Sequence, residues 1–195
     1  MKHMRAIVAL GVTLPILSAC YASNVDTLDE TAATGSNFSR SLSEEYRQLA
    51  HYERDEMYDW RDATHYGDKG IRAASGEEIM PDEVETRRLP SDKASEIHAA
   101  RTDFVRLLGD GAGREQPRLA SRAQARLDCW MEQQEEGHQP AHIARCRDGF
   151  YGTIAELRAA MQPVPAAAAP APEVNEPDEP QRFTIYFGFD RDDVT

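Results

Sequence analysis

Cysteine, paired histidine and paired carboxylate are the side chains in this sequence whose spacing could support chemistry. Cys129 lies eight residues before Gly137 and Cys146 nine after it. Residues equidistant from the turn of an antiparallel helical hairpin lie at the same height, so both thiols meet if each faces the partner helix. A disulfide between Cys129 and Cys146 is therefore expected, the alternative being two reduced, buried cysteines. His138 and His142 stand four apart with Cys146 four further on, superficially one metal-binding face. His138 precedes Pro140 and falls outside the helix, no acidic ligand is fixed nearby, and Cys146 has a better partner in Cys129, so no metal is expected. The acid pairs Asp55-Glu56, Glu77-Glu78 and Glu135-Glu136 read as solvated faces, because neighbours on a helix point apart. His51, His65 and His98 read the same way. No Gly-x-Ser-x-Gly elbow occurs, and the glycines of 109–113 lack both a preceding strand and a following Gly-Lys-Ser/Thr, so they read as a turn. No catalytic residue, cofactor or metal ligand is assigned, and the protein is expected not to be an enzyme.

These residues sit on a series of helical patterns. Tyr21 to Asn37 is small, polar and acidic, with only Val25 and Leu28 aliphatic, and residues 20–40 read as a flexible tether. Ser41 and Glu44 form a capping box, after which Leu42, Tyr46, Leu49, Met57 and Trp60 define a first helix to about Ala63, its stripe interrupted by Glu53. A weaker helix is expected from Asp62 to Ser75, since Gly67 and Gly70 each cost about 1 kcal/mol relative to alanine. Gly76 to Pro90 is acidic, bracketed by prolines, and reads as a connecting loop without chemistry. Ser91 caps a helix through Ala94, Ile97, Phe104, Val105 and Leu108 to Gly109. Pro117 opens another through Ala120, Ala123, Leu127, Trp130 and Met131, stopped by Gly137. Pro140 opens the last, along Ile143, Cys146, Phe150, Ile154, Leu157 and Met161. Residues 41–161 thus form a mainly α domain, a small helical bundle containing an antiparallel hairpin. Gln162 to Pro180 holds six of the eleven prolines and reads as an extended linker over 162–180.

The amino terminus gives the chain an address. Lys2, His3 and Arg5 make a short positive region, Ala6 to Leu17 an apolar core too short to span a bilayer, and Ser18-Ala19 a small pair before a cut. With Cys20 directly following, Leu17-Ser18-Ala19-Cys20 closely resembles the lipobox of bacterial lipoproteins. The resemblance implies removal of residues 1–19 by cleavage between Ala19 and Cys20, and acylation of Cys20. Three acyl chains, each contributing about 0.8 kcal/mol per buried methylene, anchor firmly. By the rule known for enterobacterial lipoproteins, Tyr21 rather than aspartate after the cysteine favours the outer membrane, with the body facing the periplasm. That compartment is oxidising, which suits the expected disulfide.

Composition limits the partners. The chain carries 22 Lys+Arg against 34 Asp+Glu, a net charge of −12. Loss of Lys2 and Arg5 with the leader takes it to −14. Such a balance argues against nucleic acid and against electrostatic adhesion to anionic lipid, leaving the acyl chains as the membrane attachment.

At the carboxyl end, Phe183, Ile185, Phe187 and Phe189 alternate with Thr184, Tyr186 and Gly188 in the period of a half-buried strand. Arg182 to Asp190 resembles the opening strand of the OmpA-like peptidoglycan-binding domain, an α/β fold. The body, with Asp59-Trp60 and Ala123-Gln124 through Glu135-Glu136, resembles the amino-terminal region of alphaproteobacterial lipoproteins of that family. The resemblance implies residues 181–195 as the start of a truncated OmpA-like domain contributing one orphan strand. It places the family's diaminopimelate-gripping residues beyond this sequence, so no peptidoglycan-binding residue is assigned. It further implies that a full-length form tethers the outer membrane to peptidoglycan; the alternative is a periplasmic adaptor that recruits an envelope protein through its acidic helical body.

Overall fold

A computed structural model of the chain describes residues 24–162 and 182–184. Among them every regular element is helical: α1 (Asn24–Glu30), α2 (Asn37–Tyr52), α3 (Trp60–Ala74), α4 (Ser91–Gly109), α5 (Ala112–Glu115), α6 (Pro117–Glu136) and α7 (Pro140–Met161). The chain divides into a unit ending at Gln162 and a second from Pro163 to Thr195. In the first, α2 packs on α3 and α6, α6 on α7, and α1 on α3. Tyr46, Tyr66, Phe104, Trp130 and Phe150 are buried at the centre. Phe104 meets Phe150 edge-on, with centroids 6.2 Å apart and planes at 88°. Burying a side chain of this kind contributes about 1.5–3 kcal/mol.

The α6–α7 hairpin forms as its punctuation requires. Pro117 and Pro140 occupy first-turn positions where the missing N–H costs nothing, and Gly137 takes the left-handed stop at φ 71°. Cys129 and Cys146 are bonded, with Cα atoms 5.7 Å apart. Replacing both by serine is expected to lower stability by about 3 kcal/mol for a loop of this length, read as a drop in urea midpoint relative to the oxidised protein. Loss of less than about 0.5 kcal/mol would show that the bond does not constrain the unfolded chain.

Other expectations are corrected. The segment read as a flexible tether is folded: α1 buries Val25 and Leu28 completely. The two glycines of α3 explain why. A Cβ on Gly67 would lie 2.9 Å from backbone and side-chain carbons of Asn24, and one on Gly70 would collide with the Leu28 side chain. These positions carry no side chain because α1 lies directly on them, so the helix-propensity cost is offset by packing.

The single first helix to Ala63 is also two elements. Ser36, not Ser41, caps α2, its hydroxyl accepting from the Ser39 amide at 3.0 Å. After a π-helical turn at Glu53–Met57, Tyr58 adopts a left-handed conformation (φ 57°, ψ 25°). Asp59 then starts α3 by accepting from the amides of Arg61 and Asp62 at 2.8 and 2.9 Å. The chain reverses here, and Met57 and Trp60 leave the apolar stripe. Where a simple turn was expected, Gly111 (φ 101°) leads into the short α5. The orphan strand finds no support: Arg182–Thr184 are exposed and in no regular element, and 185–195 lie outside the described residues.

Candidate functional site

Polar residues of α2, α3 and α6 meet the 76–90 loop in a buried cluster. Lys69, 4 % exposed, holds the Asp82 Oδ1 at 2.5 Å and the Asp128 Oδ2 at 2.6 Å. Asp128, fully buried, also accepts from the Tyr46 hydroxyl at 2.7 Å and from the Asp82 amide at 2.9 Å. Gln124 donates to the Tyr46 oxygen at 3.0 Å and to the Ile79 carbonyl at 2.7 Å. The Lys69 ammonium lies 4.9 Å from the Tyr46 ring centroid, and Tyr46 stacks on Tyr66 at 6.2 Å. A second cation, Arg87, pairs with Asp62 at 2.7 Å and with Glu135 at 3.3 Å, and donates to the Tyr66 hydroxyl at 3.3 Å. His65 closes the outer side against Asp82 at 2.8 Å.

The electrostatics follow from burial opposed by close charge. Burial pushes the Asp82 carboxyl upward, but the His65 hydrogen bond and the Lys69 charge outweigh it and hold Asp82 well below the usual carboxylate range. For Asp128 burial wins, lifting the carboxyl above its ordinary value against the pull of Lys69. Both tyrosine hydroxyls are driven upward, chiefly by burial, and so remain donors. The cluster fastens the loop to the bundle: Asp82, whose backbone amide donates to Asp128, and Arg87, paired with Asp62 and Glu135, are charged anchors beside the Gln124 bond to Ile79. The charged groups of the cluster are paired with one another, and among the described residues the buried Gln124 Oε1 has no hydrogen-bond partner.

A second buried polar feature is not satisfied internally. Glu53 in the π-helical turn is fully buried, and among the described residues neither of its carboxyl oxygens has a hydrogen-bond partner. Glu132 on α6, 1 % exposed, accepts from the Gln133 side chain at 2.8 Å, and among the described residues its Oε1 has no partner. Burial, reinforced by their mutual repulsion for Glu53, pushes Glu53 up to about 9, and burial pushes Glu132 up to about 8. Both are neutral acids at neutral pH.

The residues singled out by sequence are dispersed. Ala19 and Cys20 lie outside the described residues. Cys146 is bound to Cys129, and the His142 Nδ1 is 2.7 Å from the Tyr52 hydroxyl, so the His138, His142 and Cys146 spacing does not converge. Among the described residues no group of three or more His, Cys, Asp or Glu side chains is arranged to hold a metal ion. The disulfide borders a cavity of about 250 Å³ that Glu45, Tyr52, Arg126 and Arg145 also line. His51 and His65, read as solvated, pair with Asp29 and Asp82, and Glu135 is drawn inward by Arg87. One signal for the missed cluster was present: Gln124, Asp128 and Glu132 recur every four residues along α6, a polar stripe on a face that the helix buries.

Among the described residues no helix is long and apolar enough to cross a membrane. The chain matches no family model, no curated protein and no solved structure.

Proposed function

We propose that this chain is a non-enzymatic lipoprotein of the bacterial cell envelope, held on the outer membrane by acyl chains on Cys20, with its helical domain in the periplasm. The observation that carries the reading is Leu17-Ser18-Ala19-Cys20 closing an apolar leader. The Cys129–Cys146 disulfide supports it, because such bonds persist in oxidising compartments. In this reading a full-length form bearing an OmpA-like domain after the proline linker tethers the outer membrane to peptidoglycan. The buried ionic cluster serves to hold one rigid domain, and no residue acts on a substrate.

A second reading, a periplasmic adaptor recruiting an envelope protein, is favoured by one observation. With α1 folded onto α3, only residues 21–23 separate Cys20 from the domain, which keeps the acidic body close to the bilayer. Metabolic labelling with radioactive palmitate tests the shared premise: label is expected in the wild-type protein and absent from Cys20→Ala. In the full-length form, removing everything from residue 182 onward separates the two readings. Loss of sacculus retention supports tethering, whereas retention unchanged by the deletion leaves the adaptor. An unlabelled wild-type chain with its leader intact overturns both.

A further inference from the structure

The π-helical turn and the left-handed Tyr58 raise a corner at the α2–α3 junction that carries two large aromatic side chains in the open. Tyr58 is 75 % exposed and Trp60 59 %. The corner is fixed rather than loose: the Tyr58 amide is bonded back to Glu53, the Asp59 amide donates to the Glu53 carbonyl at 2.8 Å, and the Asp59 carboxylate caps α3.

The path of α1 sets which way this corner faces. Asn24 lies against Gly67 and Leu28 against Gly70, so α1 runs in the same direction as α3. The amino-terminal end of α1 at Asn24 therefore faces the amino-terminal end of α3, where Trp60 stands. From Gly67 to Trp60 is about 10 Å along the helix at 1.5 Å per residue. Cys20 can be no more than about 14 Å from Asn24, four residues at most about 3.6 Å each. An ion pair and a hydrogen bond clamp α1 in that position: Arg54 in the π-helical turn reaches Asp26 at 3.0 Å, and the His51 Nε2 lies 2.9 Å from Asp29. The amino-terminal end of α1, from which Cys20 is at most about 14 Å away, and the aromatic corner thus lie at the same end of the domain.

We propose that the Tyr58–Trp60 corner sits in the headgroup region of the bilayer that holds the acyl chains of Cys20. The inference rests on the lipidation reading and gives the domain an orientation on the membrane. Tyrosine and tryptophan are the side chains suited to that layer, each presenting an apolar ring and a polar group to a boundary that is half wet. Asp55 and Glu56, both exposed beside the corner, oppose an anionic surface, so the contact is with zwitterionic lipid and owes nothing to phosphate attraction.

Tryptophan fluorescence of the full-length, membrane-extracted protein reconstituted into phosphatidylcholine vesicles tests this, because Trp130 is buried at 1 % exposure and leaves Trp60 as the reporter. On reconstitution the Trp60 emission is expected to shift to the blue and its quenching by aqueous iodide to fall about fivefold or more, as for a ring moved from water to the interface. Brominated phosphatidylcholine is expected to quench the wild type and not Trp60→Phe, and admixed phosphatidylglycerol to add nothing. Protein that floats with the vesicles while Trp60 stays as open to iodide as before overturns this inference alone. Protein that does not float, with Cys20 unmodified by mass spectrometry, overturns the lipidation reading and this inference together.

Discussion

Replacing Lys69 with methionine is expected to lower the free energy of unfolding by about 3–5 kcal/mol, the loss typical when one partner of a buried ion pair is removed. Lys69 serves two carboxylates at once, and without it Asp82 and Asp128 face each other across a dry interior. Asp128 is fully buried, and Asp82 would keep His65 but lose one of the two partners that chiefly hold it ionised. The effect is read as a shift of urea midpoint near neutral pH. The exposed pair Arg72 with Glu77 is the internal control, for which Arg72→Met is expected to cost under about 1 kcal/mol. Combining Lys69→Met with Asp128→Leu is expected to recover part of the loss, since a buried ion pair replaced by apolar groups is often neutral. If Lys69→Met costs no more than Arg72→Met, the cluster is not what holds the 76–90 loop on the bundle.

Stability is expected to decline steadily on the alkaline side of about pH 4.5, at about 1 kcal/mol per pH unit or more. Glu53 and Glu132 set this slope. Their ordinary pKa is 4.5, raised in the folded chain to about 9 and about 8. Between those limits the folded state keeps protons that the unfolded state has released, so folding becomes less favourable as pH rises and the loss is complete once the folded pKa is passed. Asp82 works in the opposite sense and in a different window: its lowered pKa adds stability above its ordinary value of 3.8, and this is lost as acid protonates it. The two trends place the maximum near pH 4. Glu53→Gln keeps the shape and removes the titration, so it is expected to flatten the alkaline limb and stabilise the protein at about pH 8 by on the order of 2–4 kcal/mol. Denaturant titrations of wild type and Glu53→Gln at a series of pH values measure this, and parallel curves would show that Glu53 is not held neutral.

Local sequence signals located the hairpin closely and the amino-terminal half poorly, for a physical reason. Pro117, Gly137 and Pro140 act through their own backbone dihedrals, so α6 and α7 begin and end where these residues require. The near-equal spacing of Cys129 and Cys146 from Gly137 is likewise a local property of a hairpin, and the disulfide follows from it. Between Tyr52 and Trp60 no glycine or proline marks the reversal. The reversal depends on Tyr58 adopting a conformation that tyrosine rarely takes, held by hydrogen bonds to Glu53 and by the Asp59 cap.

Gly67, Gly70, Val25 and Leu28 show the same limit over a longer range. Each glycine by itself weakens a helix, and two aliphatic residues in an acidic stretch make no core. Only when α1 meets α3 does the missing Cβ become the space that buries Leu28.

By itself the sequence determined the helical class of the body, the α6–α7 hairpin and its disulfide, because periodicity, proline and glycine act on neighbouring residues. Tertiary structure alone decided that Lys69, Asp82 and Asp128 form one buried cluster, that Glu53 and Glu132 are neutral, and that α1 belongs to the domain. Charge and ionisation depend on what lies across an interface, and those partners come from elements far apart in the chain.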